Sequence, residues 1–351
     1  MAPQLSGSVM RCRYVGRYVF IIIVIAIIVE LCAWVFFVSS AEDPFWRLTS
    51  RRIFQDDPGG ALPSVRGNNR VASNVSAGGV TFKPVMPLRT EGPNIVDALG
   101  RTFKLYCVNW HGTNEKGAMF GLHAYPLHWW VKSIRELGFN CVRLPISLQN
   151  VLDGATRVDN ELLSANPALQ NMSSLQILDA CIEALTQADF VVVINIHTLA
   201  NRNCCTDRDG EGLWYTSHRV EGMASFSEGQ FFDAVTRVAR RYRSNALVAA
   251  FDLKNEIRPD RDVFPWLLPS WGGGDIATDW TIAAKRAGLL VLAEDKDMIL
   301  IVSAMNFGQY LCDVVTYPLH LDESLQGHIV YTVHHYEFFY IPGYFVRVIS
   351  E

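Results

Sequence analysis

Phe251-Asp-Leu-Lys-Asn-Glu-Ile-Arg-Pro259 closes a largely apolar run that begins at Leu247. A run of this kind, ended by polar residues and a proline, predicts a short buried strand. Its C-terminal tip carries an amide, Asn255, beside a carboxylate, Glu256. In a parallel α/β barrel the strand tips form the open mouth, so a carboxylate there is placed for acid–base chemistry. The plainer alternative is that Glu256 caps a following helix or pairs with Arg258.

The surrounding pattern favours the first reading. Short apolar runs at 104–109, 140–144, 190–197, 248–254, 298–303 and 329–333 predict six strands. Apolar residues three and four apart predict helices at 127–137, 175–188, 230–242 and 278–293, with Phe231, Val235, Val238 and Tyr242 as one example. Strand–helix alternation implies a parallel sheet with crossovers. The predicted fold is α/β, a (β/α)8 TIM barrel with about six strands present and incomplete at its C-terminal end. A doubly wound open sheet is the rival; a nicotinamide-dependent oxidoreductase on such a sheet lacks a Gly-x-Gly-x-x-Gly after the first strand.

Five of these runs end in hydrogen-bonding or ionisable groups. They are Asn109-Trp110-His111, Arg143-Leu-Pro145, Asn195-Ile-His197, Asn255-Glu256 and His334-His335-Tyr336. On a barrel these groups converge at one rim around a pocket.

Composition narrows the class. Half of the 351 residues are apolar, 19% are charged and the net charge is −4, which fits a globular body and excludes a basic nucleic-acid surface. Residues 18–38 hold fifteen Val, Ile, Leu or Phe against one charge, Glu30. On an insertion scale the apolar residues contribute roughly −5 to −9 kcal/mol against about +3 for the acid, so a transmembrane signal anchor is expected. Arg11, Arg13 and Arg17 precede it and Glu42 and Asp43 follow, which orients the body to the extracellular or secretory-lumen side. Cleavage near Ala41 would instead release a secreted protein. The expected layout is a cytosolic tail at 1–17, the anchor at 18–38, a Gly/Pro/Ser-rich stalk at 39–95 and the barrel at 96–351. Sequons at Asn74-Val-Ser76 and Asn171-Met-Ser173 agree with that address. Six cysteines lie beyond the anchor, enough for three bridges of undetermined pairing. No Cys-x-x-Cys or His-x-x-x-His spacing marks a metal site.

Between residues 106 and 336 the chain resembles glycoside hydrolase family 5, the cellulase-like retaining glycosidases of clan A. The resemblance rests on Val108-Asn-Trp110, Gly138-Phe-Asn-Cys-Val-Arg-Leu-Pro145, His197, Asn255-Glu256 and His334-x-Tyr336. The loop Asn203-Cys-Cys-Thr-Asp-Arg-Asp-Gly-Glu-Gly-Leu-Trp214 is similar to one in plant and microbial members. The resemblance implies that Glu256 is the general acid/base and Asn255 a ligand of the sugar 2-hydroxyl. It also implies that Arg143 orients a nucleophilic carboxylate, that Tyr336 hydrogen-bonds it, and that His197 and His334 line the cleavage subsite. The substrate is then an oligo- or polysaccharide, a β-glucan or related β-glycoside, or a glycolipid, with no cofactor. Trp110 and Trp214, in predicted βα-loops, are candidates to stack on sugar faces, whereas Trp129 and Trp130 lie on a helical pattern and are expected to pack.

The family takes its nucleophile from a Glu ending the seventh strand, and no Gly-Glu-Phe-Gly or Ser-Glu-Phe-Gly segment is present. Glu351, ending Val346-Arg-Val-Ile-Ser-Glu351, is the one candidate, and the chain is expected to be truncated before the nucleophile strand. The alternative is a catalytically dead, carbohydrate-binding remnant of the family.

Overall fold

The computed structural model describes residues 83–336. The proposed tail and anchor, Asn74 and Glu351 lie outside the described residues. Among those described, no helix is long and apolar enough to cross a membrane.

Among the described residues six strands form one sheet: β3 (Cys107–Asn109), β4 (Cys141–Ser147), β5 (Val191–Thr198), β6 (Val248–Asp252), β7 (Ile299–Ser303) and β8 (Ile329–Thr332). Two short strands, β1 (Arg89–Glu91) and β2 (Asn94–Val96), precede them as an antiparallel pair. Every neighbouring pair in the large sheet is parallel, and the spatial order is the chain order, β3-β4-β5-β6-β7-β8. A doubly wound sheet reverses its order at a switch point. No reversal occurs here, so the sheet is a partial (β/α)8 barrel and the open-sheet rival is set aside.

Helices α1 (Leu127–Glu136), α2 (Ser174–Gln187), α3 (Glu228–Tyr242) and α4 (Trp280–Glu294) fill the first four crossovers. Local chemistry sets where they begin. Ser173 with Gln176, and Ser227 with Gln230, form capping boxes that satisfy the first free N–H groups of α2 and α3. Asp279 caps α4 by accepting from Thr281 N–H at 2.9 Å.

The pleat divides the strands into two faces. Val142, Leu144, Val192, Ile194, Phe251, Leu300 and Val302 join the helix side of the core, with Ile177, Phe231 and Ala283. Cys141, Val191, Val193, Ala249, Ala250 and Ile299 form a second cluster with Leu88 and Phe103, residues flanking the β1–β2 pair. Residues 83–95, read from sequence as the end of a stalk, are thus folded, and Leu88 is buried in the body. Three-residue strands are too short to show a period-2 pattern.

Cys107 and Cys141 form a disulfide joining the first residues of β3 and β4 across 34 residues. In the chain-entropy account a loop of this size contributes about 3–4 kcal/mol. Replacing both cysteines by alanine should lower the unfolding free energy by about 3 kcal/mol, seen as a lower urea midpoint. An unchanged midpoint would show that the bridge adds nothing to packing already made between β3 and β4. The second bridge joins the adjacent residues Cys204 and Cys205, and burial pushes the Cys181 thiol up to about 12.

Candidate active site

Register brings the polar strand ends together. Asn109 lies opposite Arg143, and Asn195 opposite Asp252. Arg143 donates to one oxygen of Asp252 from Nε at 3.0 Å and Nη2 at 2.7 Å, to Asn255 Oδ1 from Nη2 at 2.9 Å, and to Asn109 Oδ1 at 3.2 Å. One guanidinium within β4 therefore ties the ends of β3 and β6 into a single floor.

Beyond β6 the chain continues through Leu253 to Glu256. Leu253 N–H donates to Ile301 O at 3.0 Å and Asn255 N–H to Ile196 O at 2.9 Å, which keeps this tip between its neighbours. Glu256 then adopts φ +46°, a left-handed backbone that non-glycine residues rarely hold. Such conformations persist where surrounding contacts enforce them. Arg258 supplies one of them, donating from Nη1 to the Glu256 carbonyl at 2.9 Å.

The Glu256 carboxylate is mostly buried, and one of its oxygens, Oε1, is 2.7 Å from both His334 Nδ1 and Tyr336 OH. Burial alone pushes this carboxyl up, but the hydrogen bonds from His334 and Tyr336, with the charges of His334 and Arg258, leave it below its ordinary range. Tyr336 is in turn pushed up to about 12, by burial and by its bond to Glu256. Gly308 makes this arrangement possible: at φ +76° a Cβ there would sit 2.9 Å from His334 Cγ. Its carbonyl also accepts from His334 N–H at 2.7 Å. His197, 2.8 Å from Asn195 Oδ1, is held well below the usual imidazole range, by burial first and then by Arg143 and Lys254, so its ring is neutral.

A carboxylate beside an amide, flanked by a neutral imidazole, a second histidine and a phenol, is equipped for proton transfer at an oxygen-rich substrate. The sequence matches the family model Cellulase (glycosyl hydrolase family 5) over residues 96–342. The chain belongs to glycosyl hydrolase family 5. It is 29% identical over 263 residues to an endoglucanase of Paenibacillus polymyxa, covering 70% of this chain and 59% of that protein. It is 32% identical over 213 residues to the major extracellular endoglucanase of Xanthomonas campestris pv. campestris, covering 60% of this chain and 40% of that one. The chain therefore spans about half the length of these curated relatives. Among solved structures, the catalytic domain of that Xanthomonas enzyme superposes with a TM-score of 0.61 at 28% identity, over 71% of this chain and 69% of its own. The hyperthermophilic endocellulase of Pyrococcus horikoshii gives 0.60 at 26% identity, over 73% and 70%.

Within this family-5 chain the expected site residues divide. His197, Asn255, Glu256, His334 and Tyr336 lie at or beyond the strand ends, whereas Arg143, expected to end its strand, sits within β4, which runs on to Ser147. Arg143 is paired with Asp252, and Tyr336 donates to Glu256; Glu351, the carboxylate both were expected to serve, lies outside the described residues. Arg258 pairs with Asp209, at 2.8 and 2.6 Å, and not with the Glu256 carboxylate. Trp110 and Trp214 do not stack on sugar: they are 5% and 0% exposed. Their indole N–H groups are spent on Phe120 O, within the same loop, and on Glu228 Oε1, at the start of α3. Trp130 packs against the core as expected, with Trp129 on Tyr125.

Other residues went unrecognised. Glu211 accepts from Leu199 and Ala200 N–H at 2.8 and 2.9 Å, and burial pushes its carboxyl up. Lys254, fully buried, is brought down to about 8 by burial and by Arg258, and donates to Asn255 O at 3.0 Å. The loop containing Asp209 and Glu211 was visible in the sequence, but nothing in its spacing told that its acids point inward. Cys204, Cys205 and Glu256 place potential ligand atoms within 4.8 Å of one another, although with the sulfurs joined in a disulfide they are poor metal ligands.

Proposed function

We propose that this chain provides the acid/base side of a retaining glycosidase that acts on a β-1,4-glucan or a related β-glycoside. The observation that carries this is Glu256: a mostly buried carboxylate in a left-handed backbone at the tip of the β6 segment, bonded by His334 and Tyr336, with Asn255 beside it. The names of the relatives support the substrate class, as does the Pyrococcus horikoshii endocellulase solved in complex with cellotetraose. Glu256 would give its proton to the glycosidic oxygen while a second carboxylate attacks the anomeric carbon. It would then take a proton from the water that releases the sugar. Retention requires that second carboxylate about 5–5.5 Å away. Glu351, the sequence candidate for it, lies outside the described residues. Tethering by residues 18–38, with the body outside the cytosol, is part of the same proposal and rests on the apolar run and the arginines before it.

Incubating the purified protein with cellotetraose and following anomeric signals by proton NMR tests this reading. The β-anomer should appear first and the α-anomer only by mutarotation. An initial α signal would overturn retention. Binding of cellotetraose without cleavage would favour a carbohydrate-binding remnant, a reading that gains from Tyr336 and His334 both being occupied by Glu256.

A further inference from the structure

The Cys204–Cys205 pair has no evident part in proton transfer, yet it lies against the site. Asn255 Nδ2 is 3.6 Å from Cys204 Sγ and 3.5 Å from Cys205 Sγ, and the amide is buried. On its other side Asn255 Oδ1 accepts from Arg143 Nη2 at 2.9 Å. Arg143 is itself fixed by Asp252. An amide has two distinct ends, an oxygen that only accepts and a nitrogen that only donates. With a guanidinium on one side and two sulfurs on the other, a single orientation satisfies both. Turning it over would set donor against donor at Arg143 and leave the oxygen facing sulfurs that carry no hydrogen. The disulfide matters because a bridged sulfur is solely an acceptor, whereas a thiol also donates.

We propose that the adjacent disulfide Cys204–Cys205 is a positioning element of the active site, holding the Asn255 amide for the substrate hydroxyl next to the scissile bond. This rests on the glycosidase reading above, in which Asn255 meets the sugar 2-hydroxyl. The sulfurs lie within 4.8 Å of a Glu256 carboxylate oxygen, but the side chain that bonds them is Asn255. A dithiol reductant would open it: the S–S bond takes two electrons and two protons to give two thiols, and the reductant closes to its own disulfide. The fixed pair of acceptors is then replaced by two independently rotating side chains.

The test compares an aryl β-cellobioside with the same compound lacking the 2-hydroxyl on the sugar that is cleaved. Measured on the full protein, Cys204→Ala/Cys205→Ala should lower kcat/KM on the 2-hydroxy substrate by about five- to tenfold, the effect of one misplaced hydrogen bond. On the 2-deoxy substrate it should fall less than twofold. In an Asn255→Ala background the double alanine change should add nothing further. If the alanine variant does not fold, dithiothreitol on the unmodified protein gives the same comparison, with mass spectrometry confirming that Cys107–Cys141 stays closed. Equal losses on both substrates would assign the bridge to the Glu256 side of the site or to general stability and overturn the proposal, as would no loss on either. Failure of the unmodified protein to cleave the 2-hydroxy substrate would overturn the glycosidase reading itself, and this proposal with it.

Discussion

Glu256→Gln is expected to lower turnover on an unactivated β-1,4-glucan by about 10²–10⁴-fold, the usual contribution of a positioned acid–base group. Glutamine keeps the volume, and its amide oxygen can still accept from His334 and Tyr336, so the fold should be preserved. What disappears is a transferable proton. The loss should therefore depend on the leaving group. For an aryl glycoside whose phenolate departs unaided, bond cleavage should slow far less than for the glucan, and the deficit should appear in the hydrolysis of the glycosyl intermediate. Because the bonds from His334 and Tyr336 hold Glu256 below the ordinary carboxyl range, its acid form is scarce at neutral pH. The unmodified protein should accordingly gain kcat/KM as the solution is made acidic. A folded Glu256→Gln variant with undiminished turnover on glucan would remove Glu256 from the mechanism.

Arg258→Met should cost about 3–5 kcal/mol of folding stability, the penalty for leaving a buried charge without its partner. Arg258 and Asp209 are nearly inaccessible, with side chains 1% and 2% exposed. The guanidinium also serves the carbonyls of Thr206 and Glu256, at 2.7 and 2.9 Å, and methionine can serve neither. Activity should fall with stability, because the left-handed backbone at Glu256 loses one of the contacts that hold it. Replacing both members of the pair, as Arg258→Met/Asp209→Leu, should recover part of the stability, since a buried pair exchanged for apolar groups is often neutral. Urea denaturation reads both effects. A single-variant loss under about 1 kcal/mol would mean that water reaches Asp209 and the pair is not buried in solution.

The scaffold was legible where burial writes itself into the sequence. Apolar runs placed all six strands of the sheet, and three-four spacing placed the four long helices to within a few residues at each end. Asn255-Glu256 could be picked out because a polar pair at the end of such a run is a local signal. Its partners could not. Asp252 sits inside the apolar run, and only the meeting of β4 with β6 through β5 shows that it receives Arg143. Asp209, Glu211 and Lys254 look like ordinary solvated charges until the 203–214 loop closes over β5 and β6. Trp110 and Trp214 misled for a related reason: a βα-loop is exposed as a rule, but an indole is large enough to turn a loop inward as its anchor. The sequence also held no period by which to find the β1–β2 pair.

The pleat that separates the two clusters of the core also constrains how the lineage can change. Asn195 shares its strand face with Val191 and Val193, and Arg143 shares its own with Cys141. Insertion or deletion of one residue within β4 or β5 would turn the polar groups toward the helices and the apolar ones toward the sugar. Length can vary only above the strand tips, in exposed loop stretches such as 262–268. Substrate range is therefore free to drift by insertion and deletion in those loops, whereas the floor that holds Arg143 and Glu256 can change only by substitution.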